Sequence, residues 1–209
     1  MALSKVQAES IDLTATYAFS GTVTDTVTRN LVLLQTLTAS SSATLSFTSG
    51  INNTYQSYVF KFIDIHPSAA TNLQFNGSID TGSNYNVVKT STFFQTRHDE
   101  DDSPTQLAYE TGKDLAQSAA FQQLVPYVGI ANDECMVGEL QLFDPSSTTF
   151  VKHFKCQTQS TGTDDSNLSC YGGFAAGYFK SVGNAIDAIQ FKMASGNIDS
   201  GTIKMYGVL

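Results

Sequence analysis

Apolar side chains recur at every second position of two runs near the end of the chain, residues 186–193 and 202–208. Phe191 belongs to the apolar set of the first run and Met205 to that of the second. A period of two is typical of a half-buried β-strand. The link 195–201 is rich in Ser, Gly, Asn and Asp, which tolerate turn conformations. The pattern therefore predicts two strands that fold back on each other as an antiparallel hairpin.

Further strands are predicted wherever β-branched and aromatic residues cluster between turn residues. They cover residues 31–38, 43–48, 57–65, 73–79, 85–95, 121–130, 136–143, 149–159 and 168–181. Pro67 ends the third of these runs, and Pro126 marks the sixth as an edge strand or a bulge. Since no amphipathic helices alternate with the strands, the pattern predicts an all-β fold, an antiparallel β-sandwich of jelly-roll-like type.

Turns and polar segments separate these runs. Asp144-Pro145-Ser146-Ser147 predicts a hairpin between the strands on either side of it. Residues 96–118, which include four successive acids at 99–102, predict a long loop or an insertion. Residues 161–165 predict another loop.

The length and the strand rhythm predict one β-sandwich domain, residues 29–209, preceded by residues 1–28. This first segment comprises a short arm and a first strand, Thr14 to Thr28, interrupted at Gly21. The arm carries several apolar residues, Leu3, Val6, Ile11 and Leu13. They are too few for a core of their own, so we expect the arm to gain order by docking on a neighbouring subunit or on another protein.

Composition narrows the classes of function. Charged residues make up only 14% of the chain, which has 23 serines and 24 threonines, and the net charge is -8. A surplus of acids argues against binding to a phosphate backbone, so no nucleic-acid partner is expected. No run reaches the ~18 apolar residues of a spanning helix, and the first residues lack the apolar segment of a signal peptide. We therefore expect that the protein is made in a cytoplasm and does not insert into a membrane.

No residue pattern predicts an active site, a metal site or a cofactor. The acids at 99–102 could offer oxygens to a cation, but they lack the ligand spacing of known calcium loops, so we interpret them as a solvated loop. Asp133-Glu134 and Asp164-Asp165 are interpreted in the same way. The histidines stand apart from any catalytic or zinc motif, and they are His66, His98 and His153. Three cysteines without a C-x-x-C spacing are interpreted as buried free thiols, and they are Cys135, Cys156 and Cys170.

Aromatic residues are the remaining candidates for binding. The chain has 14 Phe, 9 Tyr and no Trp. Phe residues in alternating strands are interpreted as core. Tyr85, Tyr171 and Tyr178 lie near Gly-rich turns and could line a glycan-binding surface, although tyrosine is also an ordinary strand residue.

Two terminal signatures resemble a known class of proteins. The opening LSKVQAESIDLTATYAFSGTV and the closing IQFKMASGNIDSGTIKMYGV look like segments of virion structural proteins of tailed bacteriophages, especially marine phages of cyanobacteria and related hosts. The closing pattern SGNI-x-SGT-x-K-x-YG is the more specific of the two. Together the signatures cover about 45 residues, and the middle of the chain shares only composition and strand rhythm.

The resemblance implies a β-sandwich of the kind found in tail-fibre, receptor-binding and capsid-decorating proteins, usually as a homotrimer within the virion. The chain lacks the shaft repeat of long fibres, so we expect a non-enzymatic short knob or an adaptor at the tail. A capsid decoration protein is the alternative. A soluble carbohydrate-binding or carbohydrate-cleaving β-sandwich is a further alternative from another class. The expected partners are copies of the chain, other virion proteins and, through Tyr- and Ser/Thr-rich loops, a host-surface glycan.

Overall fold

The computed structural model of the chain describes residues 30–103, 105–164 and 167–209. These ranges contain twelve β-strands and no helix. The strands are β1 (Leu31–Thr38), β2 (Leu45–Phe47), β3 (Ser57–Pro67), β4 (Leu73–Ser78), β5 (Lys89–Asp99), β6 (Thr105–Tyr109), β7 (Gln122–Gln123), β8 (Met136–Phe143), β9 (Lys152–Asp164), β10 (Asn167–Phe179), β11 (Ala188–Met193) and β12 (Ile198–Val208).

The strands form two antiparallel sheets. One has eight strands in the order β1-β12-β3-β8-β9-β10-β5-β6, and the other has four in the order β2-β11-β4-β7. The chain crosses repeatedly from one sheet to the other, and the two sheets enclose a common apolar core. The antiparallel β-sandwich predicted from the sequence is confirmed.

The core lies between the inner faces of the sheets and is rich in phenylalanine. Phe75 and Phe191 from the smaller sheet meet Phe60, Phe62 and Phe154 from the larger one, with ring centroids 5.0–5.4 Å apart across the sheets. Every one of these five side chains is at most 2% exposed. Interlocked aromatic edges of this kind hold the two layers in a fixed position.

The prediction of a C-terminal hairpin is wrong. β11 lies in the smaller sheet, between β2 and β4, whereas β12 lies in the larger sheet, between β1 and β3. The link between them turns a corner of the sandwich at Gly196, which has a φ of 69°. Both strands alternate because each presents one side to the same core from opposite layers.

Both predicted loops contain strand. β5 continues to Asp99, and β6 pairs with it inside the segment 96–118, while β9 continues through Thr161 to Asp164 beside β10. β6 is an exposed edge strand, so its sequence does not alternate between apolar and polar residues and gives no signal of a strand. Conversely, the predicted strand 121–130 contains only the two-residue edge strand β7.

Other sequence predictions are confirmed. β3 ends at Pro67, and β8 and β9 are joined as an antiparallel pair around the turn that contains Asp144. The strands predicted at 57–65, 136–143 and 202–208 are all present. The arm and the first strand predicted in residues 1–28 lie outside the described residues.

Candidate functional site

The outer face of the eight-stranded sheet, which points away from the smaller sheet, is the most distinctive surface of the described chain. Side chains alternate between core and solvent along each strand, so the outward positions of neighbouring strands line up in rows. One row crosses the whole sheet. Its members are Thr36, Lys204, Lys61, Glu139, Gln157, Phe174, Phe94 and Tyr109.

The next row contains a small residue near one end. It runs Leu33, Tyr206, Val59, Gln141, Lys155, Ala176 and Thr92. Ala176 has only a methyl group where Lys155 on one side and Thr92 on the other have longer side chains. The sheet is therefore indented at Ala176, and a groove of about 270 Å³ opens there.

We call this depression the Ala176 groove. Its floor is formed by β9 and β10, and its walls come from β8 and β5. The polar groups that line it include Glu139, Gln141, Lys155, Gln157 and Thr92. Such a groove combines apolar floor with convergent polar groups, the usual composition of a small-ligand site.

Two phenylalanines bound the Ala176 groove on one side. Phe94 and Phe174 stack with their ring centroids 4.6 Å apart and their planes 9° apart, and Phe94 is 41% exposed. Further along β10, the outward Tyr178 packs its ring against His153, at 6.1 Å between centroids. Aromatic rings therefore lie on both sides of Ala176 along the strand.

The two central rows carry an unusual charge for this protein. They contain Lys61, Lys155 and Lys204 but a single acid, Glu139, although the chain as a whole has a net charge of -8. Lys155 Nζ lies 5.8 Å from the centre of the Phe143 ring. These two rows are thus a locally basic strip on an acidic protein.

The acidic segment 99–102 is not uniformly solvated, which corrects the interpretation made from the sequence. Asp99 is 3% exposed and accepts hydrogen bonds from Arg97 Nε at 2.8 Å and from Ser169 Oγ at 2.6 Å. The Arg97 and Ser169 hydrogen bonds lower the pKa of the Asp99 carboxyl, against the effect of its burial. Asp102 remains exposed, with Oδ1 3.1 Å from His98 Nε2.

Glu134 is also structural, whereas the sequence placed it in a solvated pair. It is 3% exposed, and its carboxylate accepts hydrogen bonds from Ala131 N at 2.7 Å and from Thr163 N and Oγ1, both at 2.6 Å. Burial alone would raise the Glu134 pKa, but these hydrogen bonds lower it. Glu134 therefore joins the loop before β8 to the end of β9.

The cysteines differ from one another, so the interpretation of three buried thiols is only partly right. Cys156 is buried beneath the Ala176 groove, and its burial raises the pKa of the thiol. Cys135 is half-buried, and desolvation raises its thiol pKa as well. Cys170 is exposed on the outer face, with Sγ 2.9 Å from Gln159 Nε2.

The three tyrosines proposed for glycan contact do not come together. Tyr171 is buried on the inner side of β10, Tyr178 points outward from the same strand, and Tyr85 lies in the loop before β5. The sequence interpretation missed Phe94 and Phe174 because it assigned phenylalanines to the core. A signal was present, since Phe93 and Phe94 are adjacent and a strand must direct one of them outward.

Comparison with family models, with characterised proteins and with solved structures gives no match. Within the described ranges, no group of three or more His, Cys, Asp or Glu side chains is placed to hold a metal ion. In the same part of the chain, no helix has the length and apolarity to cross a membrane. The Ala176 groove and its surroundings are therefore the features from which a function can be argued.

Proposed function

We propose that this chain is a non-enzymatic structural protein of a tailed-phage virion, a short knob or adaptor at the tail, which acts by binding through the outer face of its eight-stranded sheet. The observation that carries the binding role is the Ala176 groove with the stacked, partly exposed Phe94 and Phe174 beside it. The assignment to a virion is supported by the two terminal signatures.

The exposure of these rings supports a surface that is covered in use. A chain that only needed to fold would gain little from two stacked phenylalanines on its solvent side, where their apolar area stays in contact with water. The rings are presented by β5 and β10, both paired on each side by other strands. A rigid sheet holds a binding surface in place without an ordering cost at each encounter.

We expect the protein to be present in purified particles. Immunogold labelling with antibody against the recombinant chain should mark the tail tip, and the same label spread over the head would support the alternative of capsid decoration. We also propose that the arm anchors the protein by packing on a neighbouring subunit or virion protein, so a chain lacking residues 1–16 should remain folded but be absent from particles. Abundant full-length protein in lysate, with none in gradient-purified particles, would contradict the virion role.

Self-association is a second part of the proposal. Ile63 and Val137, 38% and 41% exposed, line another depression of about 370 Å³ on the outer face, next to Lys61. We assign a second copy of the chain to this patch, since contact with another copy would remove its two exposed aliphatic side chains from water. A patch that meets a different surface on the next copy gives a heterologous contact, which can close into a threefold ring.

Light scattering at micromolar concentration should report a trimer of 22.5 kDa chains. The double variant Ile63→Lys, Val137→Lys should shift the mass to that of one chain, because two charges would be buried unpaired in the contact. Val182→Lys is the matched control, since Val182 is 59% exposed in the loop between β10 and β11 and does not line the patch. A monomeric wild-type chain would overturn the self-association.

A further inference from the structure

We propose that the Ala176 groove binds a saccharide that carries an anionic group, a carboxylate or a phosphate. The inference rests on the proposed function, because it names the chemical class of partner for the same outer face. Four features of the groove support it: its floor, its polar groups, its charge and its size.

The floor suits the apolar side of a sugar ring. A pyranose has C–H groups on its faces and hydroxyls around its rim, so it needs a small apolar surface with polar groups at the edges. The Ala176 methyl leaves room at the centre, and the Phe174 ring lies next to it on the same strand. The negative face of an aromatic ring attracts the polarised C–H groups of a sugar.

Three of the polar groups around this floor are available to a ligand, whereas Gln141 Nε2 donates to Ser57 Oγ and Thr92 Oγ1 donates to Ala176 O. Glu139, Lys155 and Gln157 make no hydrogen bond or ion pair with other described residues, although each lines the groove. Gln157 offers both a donor and an acceptor, and Glu139 offers two acceptor oxygens. Neighbouring sugar hydroxyls require donors and acceptors side by side, which these groups supply.

The charge favours an acidic sugar over a neutral one. Lys155 lies on the floor of the groove, and Lys61 and Lys204 continue the basic surface along the adjacent row. The two rows thus carry three lysines against one glutamate, on a chain of net charge -8. A carboxylate or phosphate next to Lys155 would form a charge-assisted hydrogen bond.

The size and the overall charge argue against a larger polyanion. The groove, of about 270 Å³, is slightly smaller than most ligand sites, whose volumes start at about 300 Å³. It therefore admits one or two sugar residues. Nucleic acid would have to approach a protein whose net charge is -8. A short acidic glycan carries few charges, so the acidic remainder of the protein surface repels it much less than it would repel nucleic acid.

The test uses the purified full-length chain. An array of acidic and neutral oligosaccharides identifies the best acidic ligand. The affinity of that ligand is then measured by calorimetry and compared with the affinity of its neutral form, in which the carboxylate is reduced or the phosphate is removed. We expect measurable binding of the acidic form and about tenfold weaker binding of the neutral form. Phe174→Ala should weaken both forms, whereas Lys155→Gln should reduce the acidic ligand to the affinity of the neutral one.

Matched controls lie on the opposite side of the sandwich. There Lys192 Nζ lies 4.4 Å from the centre of the Phe121 ring, so Lys192→Gln and Phe121→Ala repeat the chemistry of the test variants away from the groove. Neither should change binding. Ala176→Tyr fills the groove without removing any packed side chain, and it should abolish binding even if Phe174→Ala fails to fold.

Three results would overturn the inference: no array ligand binding at millimolar concentration, unchanged affinity in Ala176→Tyr, or loss of self-association in that variant. The last result would show that the groove is a contact between copies. These outcomes are independent of the virion role. A chain that binds acidic glycan through Lys155 and Phe174 but is absent from particles would sustain the inference and refute the proposed function.

Discussion

Replacement of Phe191 by alanine is expected to lower the free energy of unfolding by about 3–5 kcal/mol. Phe191 lies on β11 at the centre of the core and is fully buried. Its ring contacts Phe47, Phe60, Phe62 and Phe75, with centroid distances from 5.3 to 6.3 Å. Truncation removes apolar area and leaves a cavity between two sheets whose paired strands cannot collapse into it.

Urea unfolding followed by circular dichroism measures this loss. Phe150→Ala is the matched control, because Phe150 is 70% exposed and its removal should change the free energy by no more than about 0.5 kcal/mol. A loss below about 1.5 kcal/mol for Phe191→Ala, within the range of mild core changes, would show that the ring is not packed as described.

The strands were predictable where one face of the strand is buried and the other is not. β8 follows this rule, with Leu140 and Leu142 inward and Glu139 and Gln141 outward or half-buried, and its bounds match the sequence prediction. The sheet to which each strand belongs was not predictable from the same pattern. β11 and β12 alternate equally well as partners in a hairpin or as members of opposite layers.

Exposed strands escaped prediction for a related reason. β6 is held by backbone pairing with β5, as in Phe94 opposite Tyr109, and most of its side chains are exposed. Backbone hydrogen bonds to a neighbouring strand leave no trace in the local pattern of apolar residues. The same applies to Thr161 and Gly162, whose strand is set by pairing with β10.

For the candidate site, the sequence predicted the types of residue involved but not which of them lie together. The sequence indicated that aromatic residues on the strands could bind a ligand, but the groove depends on which rows meet. Ala176 matters because it lies between Lys155 and Thr92, which are 21 and 84 positions away along the chain. These residues are neighbours because of the register in which the strands pair. The pattern of residues within a single strand does not predict that register.

Lys89 is a buried base that lies away from the groove, at the start of β5. It is fully buried, and its Nζ donates hydrogen bonds to Val87 O at 3.2 Å and to Ala120 O at 2.5 Å. The ammonium lies 5.6 Å from the centre of the Phe179 ring. Desolvation lowers the pKa of Lys89 from 10.5 to about 7. The protein therefore holds this amine largely neutral at weakly alkaline pH.

The stability of the wild-type protein relative to a Lys89→Met variant should therefore rise with pH above neutrality. The native amine binds its proton only below about pH 7, whereas the amine of the unfolded chain stays protonated up to about pH 10.5. Between these values unfolding takes up a proton, so the free energy of unfolding increases with pH. The expected gain is roughly 3 kcal/mol between pH 7 and pH 9.5, and below pH 7 the difference should level off.

Urea unfolding at pH 6, 7.5 and 9 measures this difference for the wild type, Lys89→Met and Lys192→Met. Lys192 is half-exposed on the opposite sheet, so Lys192→Met is the control for the loss of a lysine that is not buried. Lys152, whose pKa is also lowered by desolvation, is common to all three proteins, so its contribution cancels in the comparison. The slope with pH is the readout, because Lys89→Met also removes the donor to Val87 and Ala120 and thereby shifts stability at every pH. Parallel profiles for wild type and Lys89→Met would show that the buried amine keeps its ordinary pKa.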